Sequence, residues 1–360
     1  KADAGIVISA SHNTFEYNGI KFFNSEGFKL DDLLEEKIED IIIRSIDVNG
    51  HITGDLIGRS LEAEEGAADL YVQHLLSTVD YRLDGKKVVL DCANGAAFQI
   101  AEKVYRELGA EVFVIGNEPN GVNINDGCGS THPEKLQREV IKQNAEVGLA
   151  FDGDADRLIV VDNRGRVVDG DKTIAICAKM LKKQGRLRDE KVTATVMSNI
   201  GFHKAMEAEG ILVDVTNVGD RYVLERMLQT GCVIGGEQSG HIIFLEHTTT
   251  GDGILSSLQL MKALLTEDKD MASLSDEVKI YPQLLKNVRV TDKKTARENP
   301  AVQKAVEDVS AALGSEGRIL VRESGTEPVI RVMVEAASDE ICEKYVEQVV
   351  KVIEEQGLTA

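Results

Sequence analysis

Three aspartates stand at alternate positions in Phe151-Asp152-Gly153-Asp154-Ala155-Asp156-Arg157, directly after the apolar run Val147–Phe151. Carboxylates spaced this way, with small residues between them, can turn toward one hard cation that prefers oxygen ligands. Mg2+ fits best, because it accepts few protein ligands and completes its shell with water or phosphate oxygen. An EF-hand loop does not fit, since its sixth position would be Arg157 instead of Gly and its twelfth Asn163 instead of Glu.

Three further clusters could carry chemistry. Ser9-Ala10-Ser11-His12-Asn13 ends another apolar run, Gly5–Ser9. It is not the G-x-S-x-G elbow of esterases, and a His adjacent to Ser11 does not by itself place a base on the hydroxyl. Arg322 to Arg331 supplies two guanidinium groups, the hydroxyls of Ser324 and Thr326, and Gly325, whose N–H can approach a ligand closely. That inventory suits a phosphate. Gly235 to His241 sets Glu237 and Ser239 between glycines, where they could grip sugar hydroxyls or an amine. Val218-Gly219-Asp220-Arg221 is a weaker signal, and Lys21 is unremarkable by itself. An Asp-x-Asp after a strand also occurs in phosphatases of the haloacid dehalogenase type, but that pattern expects Thr or Val where Asp156 stands. No G-x-G-x-x-G or Walker A pattern is present, which disfavours nucleotide binding.

The elements that must position these residues follow from periodicity and turn residues. Apolar runs predict strands at Gly5–Ser9 and Ile20–Phe23, with a helix over about Asp31–Ser45 and an acidic helix start at 62–65. From Lys87 to Phe151, strands at 87–91, 111–115 and 147–151 alternate with helices at 97–108 and 133–144. A similar alternation runs from Lys172 to Leu265. Strands alternating with helices imply βαβ units and a mainly parallel sheet, which buries a strand such as Gly5–Ser9 on both faces when its flanking strands are present. The last 75 or so residues differ: strands at 285–290, 318–321 and 329–335 with helices at 301–313 and 339–355 predict an α+β module.

The chain of 360 residues is long enough for several domains without staples. Apolar residues make up 42% and charged residues 28%, a globular profile that excludes a disordered or collagenous chain. No apolar run reaches the length of a membrane span. The net charge of −20 argues against nucleic acid and anionic membrane as partners, so an anionic ligand needs a local island of positive charge. Five widely spaced cysteines without a C-x-x-C pattern read as reduced thiols of a cytosolic protein.

These four loops, in this order, resemble the α-D-phosphohexomutase superfamily. The resemblance runs from Asp3 to about Glu355. Gly236 to His241, with Gln238, and Asn123 to His132 look like the branch acting on glucosamine phosphates. Two features depart from the family: Thr14 stands where many members have Pro, and members carry a further stretch before the serine. The resemblance therefore implies a chain that starts inside the first domain, leaves Gly5–Ser9 unpaired and exposed without the elements that flank it in the family and, as given, has little activity.

The implied fold is three similar α/β domains plus a C-terminal α+β domain around a central cleft. The expected divisions are 1–64, 65–163, 164–282 and 283–360. The implied reaction interconverts glucosamine 6-phosphate and glucosamine 1-phosphate, on the route to UDP-N-acetylglucosamine. It would use a phosphoserine at Ser11 and a bisphosphate intermediate. Mg2+ would be held by Asp152, Asp154, Asp156 and the Ser11 phosphate. Lys21 and His241 would move protons, with Ser11 as the third catalytic residue. His12, Arg157, Arg221, Glu237 and Ser239 would hold the substrate, and Arg322, Ser324, Gly325, Thr326 and Arg331 the phosphate that is not transferred. The same chemistry on glucose or mannose phosphates, and a phosphosugar-binding chain without activity, remain alternatives. A homodimer in the cytoplasm is the expected setting.

Overall fold

Val88, Val89 and Leu90 form the centre of a strand covered on both faces, and the largest sheet is laid out around it. The computed structural model describes residues 2–47, 53–54, 57–61, 66–324 and 327–360. The acidic start at 62–65 and the residues Gly325 and Thr326 lie outside the described residues. The chain divides into two compact units, Lys1–Met197 with Gly210–Glu277, and Ser198–Glu209 with Val278–Ala360.

In the first unit, β1 (Ala4–Ser9) and β2 (Gly19–Asn24) pair antiparallel, followed by α1 (Asp32–Ile43). The expected exposure of this strand is met, whereas the expectation that it is unpaired fails. Among the described residues β2 is the only strand paired with β1, and Ile6 and Ile8 are 63% and 72% exposed. Next come α2 (Ala67–Ser77), β3 (Lys87–Asp91), α3 (Ala97–Glu107), β4 (Glu111–Ile115), α4 (Glu134–Gln143), β5 (Val147–Phe151), β6 (Leu158–Asp162) and β7 (Val167–Val168). The sheet order is β4-β3-β5-β6-β7, parallel through β5 and antiparallel beyond it. Sequence analysis did not anticipate β6 and β7. Their pairing makes the sheet mixed instead of parallel.

The third stretch comprises α5 (Gly170–Lys183), β8 (Lys191–Thr195), α6 (Ile200–Ala208), β9 (Leu212–Thr216), α7 (Asp220–Thr230), β10 (Ile234–Gly236), β11 (Ile242–Phe244), α8 (Gly253–Glu267) and α9 (Met271–Asp276). Its sheet order, β9-β8-β10-β11, repeats the β4-β3-β5-β6 arrangement, with two parallel pairings and then one antiparallel. Duplication is thus visible in topology where no strict sequence repeat exists. α8 is buried from Gly253 to Met261, as an all-round apolar helix must be. It packs on α5, β5, β6 and β11. Tyr105 Oη donates to Ser257 Oγ at 2.7 Å, and Tyr71 Oη donates at 2.7 Å to the capping carboxylate of Asp252.

The second unit holds α6 and β12 (Gln283–Arg289), α10 (Lys293–Glu298), α11 (Pro300–Leu313), β13 (Arg318–Glu323), β14 (Val329–Glu335) and α12 (Asp339–Glu355). Its antiparallel sheet, β12-β14-β13, matches the expected α+β character. α12 turns Cys342, Val346, Val349, Val350 and Ile353 inward at helical spacing. Asn199 ties α6 into this unit: its Nδ2 donates to Tyr281 O at 2.9 Å and its Oδ1 accepts from Tyr281 N–H at 3.0 Å. Glu335 is fully buried, accepts from Ile200 N–H at 2.8 Å and pairs with Arg318 at 2.7 Å. All five cysteines are unpaired and buried. Among the described residues no helix is long and apolar enough to cross a membrane.

Burial and the Arg318 charge push His203, on α6, down to about 4 from its ordinary 6.5. Between those values the unfolded chain binds the extra proton. The contribution of His203 to stability is therefore full above about pH 6.5 and is lost as pH falls toward 4. His203→Gln should flatten the pH dependence of the urea midpoint of this unit across that window. Superimposable pH profiles for parent and variant would contradict the assignment.

Candidate functional site

Each of the four chemistry-bearing loops joins two antiparallel neighbours. The serine loop runs from β1 to β2, the aspartate loop from β5 to β6, the Glu237 loop from β10 to β11, and the two-arginine loop from β13 to β14. Such a connection leaves both strand ends fixed in the sheet and projects the loop from its edge.

In the first unit three of these loops interlock through backbone. Ser11 O accepts from Gly153 N–H at 3.0 Å, which docks the serine turn on the aspartate loop. Leu158 N–H donates to Gly240 O at 2.9 Å, and Arg157 bridges His241 in antiparallel fashion, which docks the Glu237 loop on the same element. Gly240 has φ +93, and a Cβ there would lie 2.2 Å from Leu158 O, so both its conformation and its contact require glycine.

The aspartates converge. One carboxylate oxygen from each of Asp152, Asp154 and Asp156 lies within 4.8 Å of the others. Asp152 Oδ2, Asp154 Oδ1 and Asp156 Oδ1 are buried without a hydrogen-bond partner. Burial and the charges of Asp156 and Asp154 push Asp152 well above the ordinary carboxylate range. Orphaned, mutually repelling oxygens of this kind fit a hard divalent cation. The opposite oxygens are occupied by protein. Lys21 Nζ bonds Asp154 Oδ2 and lies 3.4 Å from Asp156 Oδ2, while Arg157 N–H donates to Asp152 Oδ1 at 3.0 Å.

Burial alone would lower Lys21, but the charges of Asp156 and Asp154 outweigh it and hold the group above its ordinary value as an ammonium. Burial alone would likewise raise Asp156; the His241, Lys21 and Arg157 contacts hold it well below the usual range instead. Ser11 Oγ lies 3.2 Å from His12 Nδ1. Burial and the Arg157 charge push His12 down, so the ring is neutral near pH 7.

His241 is 3% exposed. Its Nε2 accepts from Gly251 N–H at 3.1 Å, and its Nδ1 lies 3.5 Å from Asp156 Oδ2. Glu237 Oε1 accepts from Gly219 N–H at 3.0 Å at the start of α7, and Ser239 is exposed. Arg221 Nε donates to Glu225 Oε1 at 2.7 Å. A cavity of about 210 Å³ beside His241 is lined by Phe23, Lys29, Asp220, Arg221 and Leu224 among others. Ser11, His12, Lys21, Asp152, Asp154, Asp156, Arg157 and His241 therefore form one cluster. Asp220 escaped sequence analysis as a site residue. It pairs with Lys29 and approaches His241 Nε2 at 3.9 Å. The signal available in sequence was its place directly before Arg221.

In the second unit Arg322 and Arg331 face each other across β13 and β14. Like charges in register are unfavourable without an anion between or beside them. Burial and the Arg331 charge push Arg322 below its ordinary value. Arg331 Nε is buried without a partner, and Arg331 Nη2 lies 3.4 Å from Ser324 Oγ and 3.3 Å from Glu327 Oε2. Ser324 is 1% exposed. The pair of cations and the buried hydroxyl fit a phosphate dianion.

The chain matches the phosphoglucomutase/phosphomannomutase family in four consecutive stretches. Residues 1–47 match its α/β/α domain I, 69–165 domain II, 169–281 domain III and 285–352 the C-terminal domain. A phosphoglucosamine mutase of Geobacillus thermodenitrificans is 51% identical over 352 residues, which cover 98% of this chain and 78% of that protein. One from Carboxydothermus hydrogenoformans is 52% identical over 354 residues, covering 98% and 80%. Among solved structures, a phosphoglucomutase/phosphomannomutase family protein of Burkholderia thailandensis aligns with a TM-score of 0.81 at 23% identity. The alignment covers 99% of this chain and 77% of that one. The N-acetylphosphoglucosamine mutase of Aspergillus fumigatus, solved with GlcNAc-6P and magnesium, aligns with a TM-score of 0.77 at 18% identity, covering 98% and 89%. At these identities the two structures speak for the fold.

Asp154→Asn keeps the shape of the aspartate loop and removes one charge from the trio. Mg2+ affinity, read by calorimetry, should fall by more than about tenfold. Unchanged affinity would mean that the trio is an acidic turn held by Lys21 and Arg157 alone.

Proposed function

This chain belongs to the phosphoglucomutase/phosphomannomutase family, the α-D-phosphohexomutases, and on that basis we propose how its residues divide the chemistry. The reaction is the interconversion of glucosamine 6-phosphate and glucosamine 1-phosphate by an isomerase working through a phosphoserine enzyme and a sugar bisphosphate. The observation that carries the reading is the docking of the Ser11 turn on Gly153, inside the loop whose carboxylate oxygens lack partners.

Ser11 Oγ is the carrier. In the first half-reaction the free sugar hydroxyl attacks the Ser11 phosphate, the new O–P bond forms, and the bond from phosphorus to Ser11 Oγ breaks. One proton moves, in net, from the attacking hydroxyl to Ser11 Oγ. Lys21 is held as an ammonium and can relay it, giving one proton to Ser11 Oγ and taking up the one from the sugar. The bisphosphate then turns round, and its other phosphate returns to Ser11 by the reverse steps. Mg2+ held by Asp152, Asp154 and Asp156 would neutralise phosphate charge and polarise phosphorus when bound.

The other residues position. We assign His241 to holding Asp156, because its ring nitrogens face that carboxylate and the Gly251 N–H. His12 and Arg157 steady the Ser11 oxygen and the phosphate charge. Glu237, Ser239 and Arg221 hold the sugar. Arg322, Ser324 and Arg331, with Gly325 and Thr326, bind the phosphate that stays on the substrate. The four family stretches support domains at 1–64, 65–163, 164–282 and 283–360. The free, buried thiols support a cytoplasmic setting.

Ser11→Ala should lower turnover by at least about a thousandfold while leaving the fold intact, because it removes the oxygen that carries the phosphate. Parent-like turnover would rule out the phosphoserine route. In the same coupled assay, kcat/KM should be highest for glucosamine 6-phosphate; an equal or higher value for glucose or mannose 6-phosphate would reassign the substrate. Arg331→Ala should raise KM about ten- to hundredfold with a smaller loss of kcat, since a charged hydrogen bond to a remote phosphate acts on ground and transition states alike. A large kcat loss at unchanged KM would place Arg331 at the reacting phosphate.

A further inference from the structure

One side chain outside the four loops reaches into the Ser11 turn. Asn125 follows β4, in the segment Asn123–His132, and is 2% exposed. Its backbone is left-handed, φ +57, a conformation asparagine tolerates better than most residues. Its N–H donates to Ala93 O at 2.9 Å, and Ala93 N–H donates in turn to the buried carboxylate of Asp91 at 3.0 Å. From this anchored position Asn125 Nδ2 donates to Ser11 O at 2.8 Å and to Asn13 O at 2.7 Å.

The two acceptors bracket the turn that presents Ser11. Ser11 itself is left-handed, φ +52, and Asn13 N–H closes back on Ala10 O at 2.9 Å. A residue with a Cβ pays for that conformation, on the order of 1 kcal/mol or more, and holds it only where its surroundings impose it. The surroundings here are three donated hydrogen bonds: two from the Asn125 amide and one from Gly153 N–H to Ser11 O at 3.0 Å. The fit is close on the Gly153 side, where a Cβ would stand 2.6 Å from Ser11 O and 2.7 Å from Asn125 Nδ2. Because both partners are carbonyl oxygens, the amide nitrogen must face them. Asn125 Oδ1 is then left buried without a partner, an arrangement that costs stability and calls for a reason.

We infer that Asn125 is a positioning residue for phosphoryl transfer: its amide clamps the Ser11 turn to the anchored segment after β4, beside Gly153, and so sets the direction in which Ser11 Oγ points. Transfer needs donor oxygen, phosphorus and acceptor oxygen in line, and a displacement of about 1 Å can lower the rate a hundredfold. The inference rests on Ser11 being the phosphate carrier.

Asn125→Asp and Asn125→Ala in the full chain test it. The first is nearly isosteric, sets oxygen against the two carbonyls, and decides the matter by itself if the second does not fold. Four quantities are read: kcat, KM, Mg2+ affinity of the unphosphorylated protein, and the rate at which glucosamine 1,6-bisphosphate phosphorylates Ser11. We expect kcat and the phosphorylation rate to fall together by about 10- to 100-fold. KM and Mg2+ affinity should stay within about threefold of the parent, since sugar and metal are held by other loops. Rates within about threefold of the parent would overturn the inference. So would a rate loss matched by an equal loss of Mg2+ affinity, which would make Asn125 a support of the whole segment. A parent protein whose Ser11 takes no phosphate would instead sink the reading of the site, a result distinct from parent-like rates in the variants.

Discussion

Three aspartate oxygens brought within 4.8 Å of one another in a half-buried loop are the constraint on which the site depends. At an effective dielectric near 20, each such pair of charges repels by about 3 kcal/mol or more. With all three carboxylates ionised, Lys21 and Arg157 supply two positive charges against three negative ones. The balance leaves room for a divalent cation, and with it for a phosphate dianion on Ser11. The same accounting explains why the second unit must supply its own cations, Arg322 and Arg331, in a chain of net charge −20.

Holding that cluster together falls to strand topology. The β4-β3-β5-β6 and β9-β8-β10-β11 sheets share one order and one set of directions, and in each the active loop joins the third strand to the fourth. The β1–β2 and β13–β14 pairs offer loops from the same kind of connection. A loop so placed has both ends fixed by ladder hydrogen bonds, and side chains a few residues from either end inherit that precision. In the first unit the loops are then locked to each other by backbone contacts that leave no space for a Cβ at Gly153 or Gly240.

Much of this was legible in the sequence, for identifiable reasons. Asp152, Asp154 and Asp156 are local in sequence, so their convergence could be read from spacing alone. The repeated α/β pattern was legible because helices such as α4 bury Leu136 and Val140 at helical spacing, while strands such as β5 are apolar throughout. Antiparallel β6 was not, although Leu158-Ile-Val-Val161 is apolar, because a strand period carries no direction. The pairing of β1 with β2 was missed for a related reason: an apolar run does not say which partner it has. Asn125 and Asp220 were missed as parts of the site because their partners, Ser11 and His241, are distant in sequence.

The central claim is that phosphate moves between Ser11 and the sugar. The most direct measurement loads Ser11 with labelled phosphate, mixes the Mg2+-supplemented protein with glucosamine 6-phosphate in a single turnover, and follows the label. The account predicts that the label leaves Ser11 at a rate no slower than kcat and reaches the sugar as glucosamine 1,6-bisphosphate and then the monophosphates. Label that remains on Ser11 while product forms, or that appears only as inorganic phosphate, would contradict it.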